Sequence, residues 1–240
     1  MKEYTLTGLL AGPIFVFCGC VLPVSAERFR GSEDLTTIER DLEDFSVLEL
    51  RSGCQAGITR SDRFSVVVRI NENLVDYLQL EVAGRTLSIG MKKGHSYSRI
   101  QLEAEIGMPD IERLELSGGS QANISGFDLD HRLDTDLSGG SGLTGSLDTG
   151  ALSMSLSGGS SAELFGAGSD VQIEGSGGSV VEMGDFLSSD VHLKLSGGSR
   201  ATVNLTGRLT GQLSGGSKAY YHGEPNVEVT RSGGSNVMRK

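Results

Sequence analysis

Cysteine is nearly missing from this sequence. Three occur in 240 residues, at positions 18, 20 and 54. Once an N-terminal leader is set aside, Cys54 stands alone, or with Cys20 if that residue is lipidated. Neither case provides an internal disulfide framework. The neighbours of Cys54, Ser52-Gly53 and Gln55-Ala56-Gly57, read as a turn, and the thiol reads as structural rather than catalytic. Tryptophan is absent. Basic residues are outnumbered, 21 against 31 acidic, for a net charge of −10. That balance disfavours nucleic acid or an anionic membrane surface as the main partner.

The patterns that carry chemistry are also missing. His95, His131, His192 and His222 lack metal-ligand spacing. The Gly-Gly-x-Gly-x-Asp calcium repeat is absent, because Ala122, Leu143, Ala162 and Val181 stand where the Asp would be. No Gly-x-Ser-x-Gly elbow precedes a helix. Asn123-Ile124-Ser125 and Asn204-Leu205-Thr206 match the glycosylation pattern, which short sequences meet by chance. The densest acidic cluster is Asp128, Asp130, Asp134 and Asp136 around His131. It could hold a paired acid and base, but it reads better as a solvated face. The expectation is no catalytic residue, no metal and no cofactor.

What is abundant is glycine, 35 residues, and it is ordered. Ser-Gly-Gly-Ser starts at Ser117, Ser138, Ser157, Ser176, Ser196, Ser214 and Ser232, with gaps of 21, 19, 19, 20, 18 and 18 residues. A period near 20 is a solenoid signature. Five residues before each copy from the second on stand Leu133, Leu152, Val171, Val191, Leu209 and Val227. Polar residues alternate with this column, as in a strand with one buried face. After each copy a second column begins: Ala122, Leu143, Ala162, Val181, Ala201, Ala219 and Val237. One such unit cannot bury its apolar face alone, whereas stacked in-register copies can. The expected fold is all-β: a single-stranded, right-handed parallel β-helix with irregular N-terminal leading coils. By even spacing from the inward columns, the last Ser of each tetrapeptide should also point inward and form a hydrogen-bonded ladder.

Along the chain, residues 1–26 read as a signal segment. Leu6 to Val24 is apolar but broken by Pro13 and Pro23. Val24-Ser25-Ala26 is a cleavage pattern, and Phe17-Cys18-Gly19-Cys20 is a rival lipobox with Cys20 as the lipidation site. A retained anchor is the third alternative. Residues 27–44 read as an acidic linker, 45–116 as leading coils that cap one end, and 117–240 as the repeat solenoid. Charge is uneven. Residues 111–193 hold 13 acidic and two basic side chains, net −11, whereas 194–240 hold seven basic and two acidic, net +5. Arg231, Arg239 and Lys240 form a candidate docking edge on the last coil. They would meet an acidic partner, or discourage edge-to-edge pairing.

Several features in order resemble one family: Phe45 with the strand Val47 to Leu50, Asn73-Leu74, Gly-x-x-Leu-x-Ile at Gly84 to Ile89, Met108-Pro109, then iterated Leu-Ser-Gly-Gly-Ser. Over about residues 42–240 the sequence resembles the head GIN domain family, described as "putative auto-transporter adhesins". The resemblance implies a β-helix-like fold at the cell envelope and no established catalytic residues. An auto-transporter needs a C-terminal membrane barrel; the sequence given stops after the seventh tetrapeptide, and self-transport is not expected. The resulting expectation is an exported, non-enzymatic envelope or surface module, adhesive or structural. Its partners would be a cell-surface glycan, an envelope polymer or another copy along the solenoid, with membrane contact only through a lipid or N-terminal anchor. The alternative is a polysaccharide-active hydrolase or lyase on the same scaffold, favoured if adjacent coils line a groove with acids and bases.

Overall fold

Parallel, in-register stacking is the dominant feature of the computed structural model, which describes residues 27–240. The expected signal segment and Cys20 lie outside the described residues. The chain winds into a β-solenoid of about six turns. Strands Gln121–Leu137, Gly142–Leu156, Ser161–Gly175 and Val180–Leu195 each run round most of one coil. Later coils are divided into shorter strands ending with Asn226–Arg231 and Asn236–Arg239.

The expected core columns are present. Leu133 pairs with Leu152, then Val171, Val191, Leu209 and Val227 in succession. All are buried except Val227, which has a neighbouring coil on one side only and is 38% exposed. Fully burying one such side chain contributes about 2 kcal/mol, so the columns are the main source of stability. Volume is balanced between coils. Where one coil carries Gly166, the next places the buried Phe186 in register with it. A Cβ on nearby Gly168 would lie 3.0 Å from that ring.

The tetrapeptide is a tight bend with different work for each residue. Gly118 and Gly119 have φ of +64° and +79°, and Gly139, Gly140, Gly158 and Gly159 repeat those values. The first glycine of each bend also packs on the one below. A Cβ on Gly158 would stand 3.1 Å from the Gly139 nitrogen, whereas one on Gly159 would meet nothing within 4 Å. The last serines, Ser120, Ser141, Ser160, Ser179, Ser199 and Ser217, are buried. Each donates its hydroxyl to the carbonyl of its own first serine, at 2.7–2.9 Å. The inward ladder is thus present, and its bonds run to backbone, within each bend and, at Ser217, also to the Leu195 carbonyl of the preceding coil at 3.3 Å.

The N-terminal third departs from simple leading coils. Val47–Leu50 and Gln55–Arg60 do form a coil, stacked directly on Arg113–Leu116 and Gln121–Leu137. Its bend, Arg51-Ser52-Gly53-Cys54, is an eighth, divergent copy of the tetrapeptide. Gln121 pairs with Gln55 and Leu116 with Leu50, so Ser52 answers Gly118 and Cys54 answers Ser120. Ser52 adopts φ +64°, the value of Gly118. Thr86–Met91 and Leu102–Met108 add a further parallel layer. Leu78–Ala83 and Ser65–Asn71 then turn antiparallel and close that end. Residues 27–44 are not a plain linker. Leu35–Arg40 pairs antiparallel with Ser65–Asn71. Arg28–Arg30 pairs with Ser96–Ser98, beside a cluster of Phe29, Tyr77, His95 and Tyr97 rings.

Candidate functional site

On the strand that enters each bend, the residue beside the last inward leucine points outward. Register aligns Glu49, Glu115, Asp136, Ser155, Glu174, Lys194, Gln212 and Thr230 in one column. Beside it runs a second column, the first serines of the tetrapeptides, from Ser117 to Ser232. Between the columns lies an open groove of about 620 Å³ along the coils. Among the described residues, no aromatic side chain lines it.

The two serines of each tetrapeptide are therefore divided. The last points into the core and is satisfied there. The first lines the groove. Among the described residues its hydroxyl takes part in no hydrogen bond, while its backbone carbonyl holds the inward serine. A hydroxyl can donate once and accept twice, so each coil offers unused bonding capacity at the same height. Neighbouring hydroxyls repeat at the coil spacing, about 4.8 Å.

Every carboxylate of the groove is already paired. Glu49 takes Arg51 at 2.7 Å and the Ser88 hydroxyl at 3.0 Å. Arg113 bridges two coils, reaching Glu115 at 2.8 Å and also Asp136. Lys194 reaches across one coil to Glu174 at 2.7 Å. The Lys194 hydrogen bond holds the Glu174 carboxyl below its ordinary range. A general acid for glycoside cleavage needs the opposite displacement. These groups are fixed acceptors, held in place by their partners.

The sequence-predicted residues are distributed as follows. Of the acidic cluster, only Asp136 lines the groove. Asp134 pairs with Arg132, and His131 contacts Asp110 at 2.8 Å and the Arg132 carbonyl at 3.0 Å. Asp128 lies before the chain bends and pairs in register with Asp148, whereas Asp134 lies after the bend and pairs with Ser153. The cluster is thus divided between faces. Cys54 is fully buried in the serine position of the divergent bend, and burial pushes its thiol up to about 12. Arg231, Arg239 and Lys240 do lie on the last coil. Arg239 pairs with Glu224 at 3.1 Å, and the Lys240 ammonium sits 5.1 Å from the Tyr220 ring centroid. Sequence reasoning missed the first serines as a functional line. The signal was available: the final serine's inward phase leaves the first serine, three positions earlier, facing outward.

Fold and groove together define a β-solenoid that presents a continuous trough lined by serines, ion-paired carboxylates and the edges of core leucines. The chain belongs to the family described as "Putative auto-transporter adhesin, head GIN domain", which it matches over residues 44–225. Among curated proteins no relative is found. Solved structures share the fold. A putative adhesin from Bacteroides fragilis is 18% identical with a TM-score of 0.81, over 88% of this chain and 99% of its own. A putative adhesin from Parabacteroides merdae is 17% identical with a TM-score of 0.72, over 90% and 100%. A putative lipid binding protein from Parabacteroides distasonis is 20% identical with a TM-score of 0.70, over 89% and 100%.

Proposed function

We propose that this protein is an exported, non-enzymatic surface module that adheres to an extended polymer through the groove. The observation that carries the reading is the line of unpartnered first-serine hydroxyls beside carboxylates already neutralised by Arg51, Arg113 and Lys194. Such a surface offers many weak, repeated hydrogen bonds and no group poised to transfer a proton. Rigid solenoids suit this use, because the ligand meets a preordered ladder. Export rests on the apolar run and cleavage pattern before Glu27. It is tested by the N-terminal mass of the mature protein, with Cys20→Ala to separate lipidation from simple cleavage. Adhesion is tested by placing a ring in the trough with Ser157→Phe and measuring binding of the purified chain to cell envelopes. Retained binding would remove the groove from the function.

A second reading is a polysaccharide hydrolase or lyase. Its supporting observation is that Glu115 and Asp136 stand on neighbouring coils of one groove. Arg113 stands between them and bonds both. Turnover of polysaccharide that is abolished by Asp136→Asn would decide for the enzyme. Because one structural neighbour is a putative lipid binding protein, phospholipid vesicles form a further arm of the same binding experiment.

A further inference from the structure

We infer that the groove takes a neutral or amino-bearing linear glycan, lying parallel to the solenoid axis with one sugar per coil, and rejects uronic-acid chains. This rests on the adhesive reading of the same groove and narrows its ligand.

Three properties of the site lead there. The first is pitch. An extended peptide advances about 3.3 Å per residue, or roughly 6.6 Å between side chains on one face, and falls out of step with coils ~4.8 Å high. A sugar ring linked equatorially at both ends is about as long as one coil is high; successive rings are flipped, but each carries hydroxyls on both edges, so every coil faces one ring whose two edges alternate between the two columns. The second is chemistry. With no aromatic ring in the lining, recognition cannot rest on stacking. The serine hydroxyls both donate and accept, and Glu115, Asp136 and Glu174 accept only. That mixture matches vicinal sugar hydroxyls and, at the carboxylates, an ammonium. The third is sign. Glu49, Glu115, Asp136 and Glu174 line the groove, and their paired cations are Arg51, Arg113 and Lys194, so four acids against three bases leave a net charge of −1. A polyuronate would bring like charge to every coil. The acids are also grouped toward one end, with Gln212 and Thr230 at the other, so an amino-substituted chain has a preferred direction.

The test uses the full chain and three equatorially linked oligosaccharide series from dimer to octamer: cello-oligosaccharides, chitosan oligosaccharides and β-1,4-mannuronate oligosaccharides. Binding is followed by calorimetry at low salt. Neutral and amino chains should bind with affinity that rises with each sugar and levels off near seven, the number of tetrapeptides. The mannuronate series should bind about tenfold or more weakly. Ser157→Phe and the milder Ser157→Gln should weaken binding, whereas Ser161→Phe, outside the groove, should not. Glu174→Gln should erase preference for the amino series. Thermal melts establish that each variant is folded. Equal affinity for the acidic series, or a plateau at two or three sugars, overturns the inference but leaves the groove as the adhesive site if Ser157→Phe still abolishes binding. Ser157-dependent binding of a polypeptide or phospholipid vesicles, with no oligosaccharide bound, overturns it in the same way. Glycan binding that ignores both Ser157 variants overturns the inference and the adhesive groove together.

Discussion

The hydroxyl of Ser160 donates to the carbonyl of Ser157 at 2.7 Å, so one serine of the bend is consumed in holding the other's backbone. Ser160 is fully buried and Ser157 exposed, although both belong to the same four residues. Ser160→Ala should lower stability by about 1 kcal/mol, the usual net value of a buried hydrogen bond. Ser157→Ala should stay within about 0.5 kcal/mol, as exposed substitutions do. Thermal or denaturant unfolding measures both. Equal losses would erase the division of labour on which the groove depends.

The two glycines of a bend should be unequal in the same way. Both Gly158 and Gly159 sit at positive φ, where a side chain is strained by roughly 1 kcal/mol or more. Only at Gly158 would the new Cβ also press on the coil below, 3.1 Å from the Gly139 nitrogen. Gly158→Ala is therefore expected to destabilise clearly more than Gly159→Ala. Ser52 shows that the left-handed conformation is tolerated at the divergent bend with a side chain present. Unfolding midpoints for the two alanine variants, compared side by side, decide the matter; a greater loss at Gly159 would contradict the stacking account.

Volume exchange between coils makes a third expectation. Phe186 is fully buried beside the coil that carries Gly166 and Gly168. Gly168→Ala alone brings a Cβ to 3.0 Å of the ring and should cost about 1–3 kcal/mol by overpacking. Phe186→Leu alone leaves a void and should cost a similar amount. The double variant should recover part of both losses, with a coupling energy of about 0.5–2 kcal/mol in a double-mutant cycle. Strict additivity would show that the ring does not fill the glycine space.

Much of this fold could be read from residues alone, because one error-tolerant signal repeats. Leu133, Leu152, Val171, Val191 and Leu209 keep one phase through five coils, and period two leaves few alternatives. The head was harder for a physical reason. A strand that closes an end pairs antiparallel and buries its face against residues distant in sequence, so Ser65–Asn71 and Leu35–Arg40 carry no repeat. Residues 27–44 looked like a linker because their charges mask the alternation of Thr36, Ile38 and Arg40. The eighth bend was legible in retrospect: Leu48 and Leu50 precede Cys54, and Ala56 and Ile58 follow it, at the spacing of Leu114, Leu116, Ala122 and Ile124 around Ser120. The groove was not, since ion pairs such as Glu174–Lys194 arise only once coils are stacked.

His131 sets a pH dependence. Its bond to the Arg132 carbonyl, and then its bond to Asp110, hold the protonated ring and raise its pKa. A raised folded-state value means stability that is fully present below the unfolded value, about 6.5, and lost as pH rises through the folded value. The stability difference between the parent and His131→Gln should therefore be larger near about pH 5.5 than near about pH 8.5. The partly exposed site limits the difference to about 1 kcal/mol or less. A gap that grows toward alkaline pH would reverse the assignment.

The last coil carries the remaining question, whether Arg231, Arg239 and Lys240 dock a partner or guard an edge. Among the described residues, strands Asn226–Arg231 and Asn236–Arg239 pair on one side only, an edge that can template another chain. Two of the three cations are already engaged by the solenoid: Arg239 by Glu224 at 3.1 Å, and Lys240 by the Tyr220 ring one coil back and the Thr202 hydroxyl two coils back at 3.5 Å. Arg231, exposed, reaches Asn236 at 3.5 Å and no other partner among the described residues. Charges held locally are poor ligands for a polyanion, yet they still keep a second edge away. The expected result for the combined Arg231→Ser, Arg239→Ser and Lys240→Ser variant is greater self-association in sedimentation than the parent, with no loss of anionic-glycan binding. Raising salt to about 0.15 M and beyond, where the Debye length falls to roughly 8 Å, should move the parent toward the variant's behaviour. Docking would show the reverse signature: salt-sensitive association or polyanion binding in the parent that disappears when the three cations are removed.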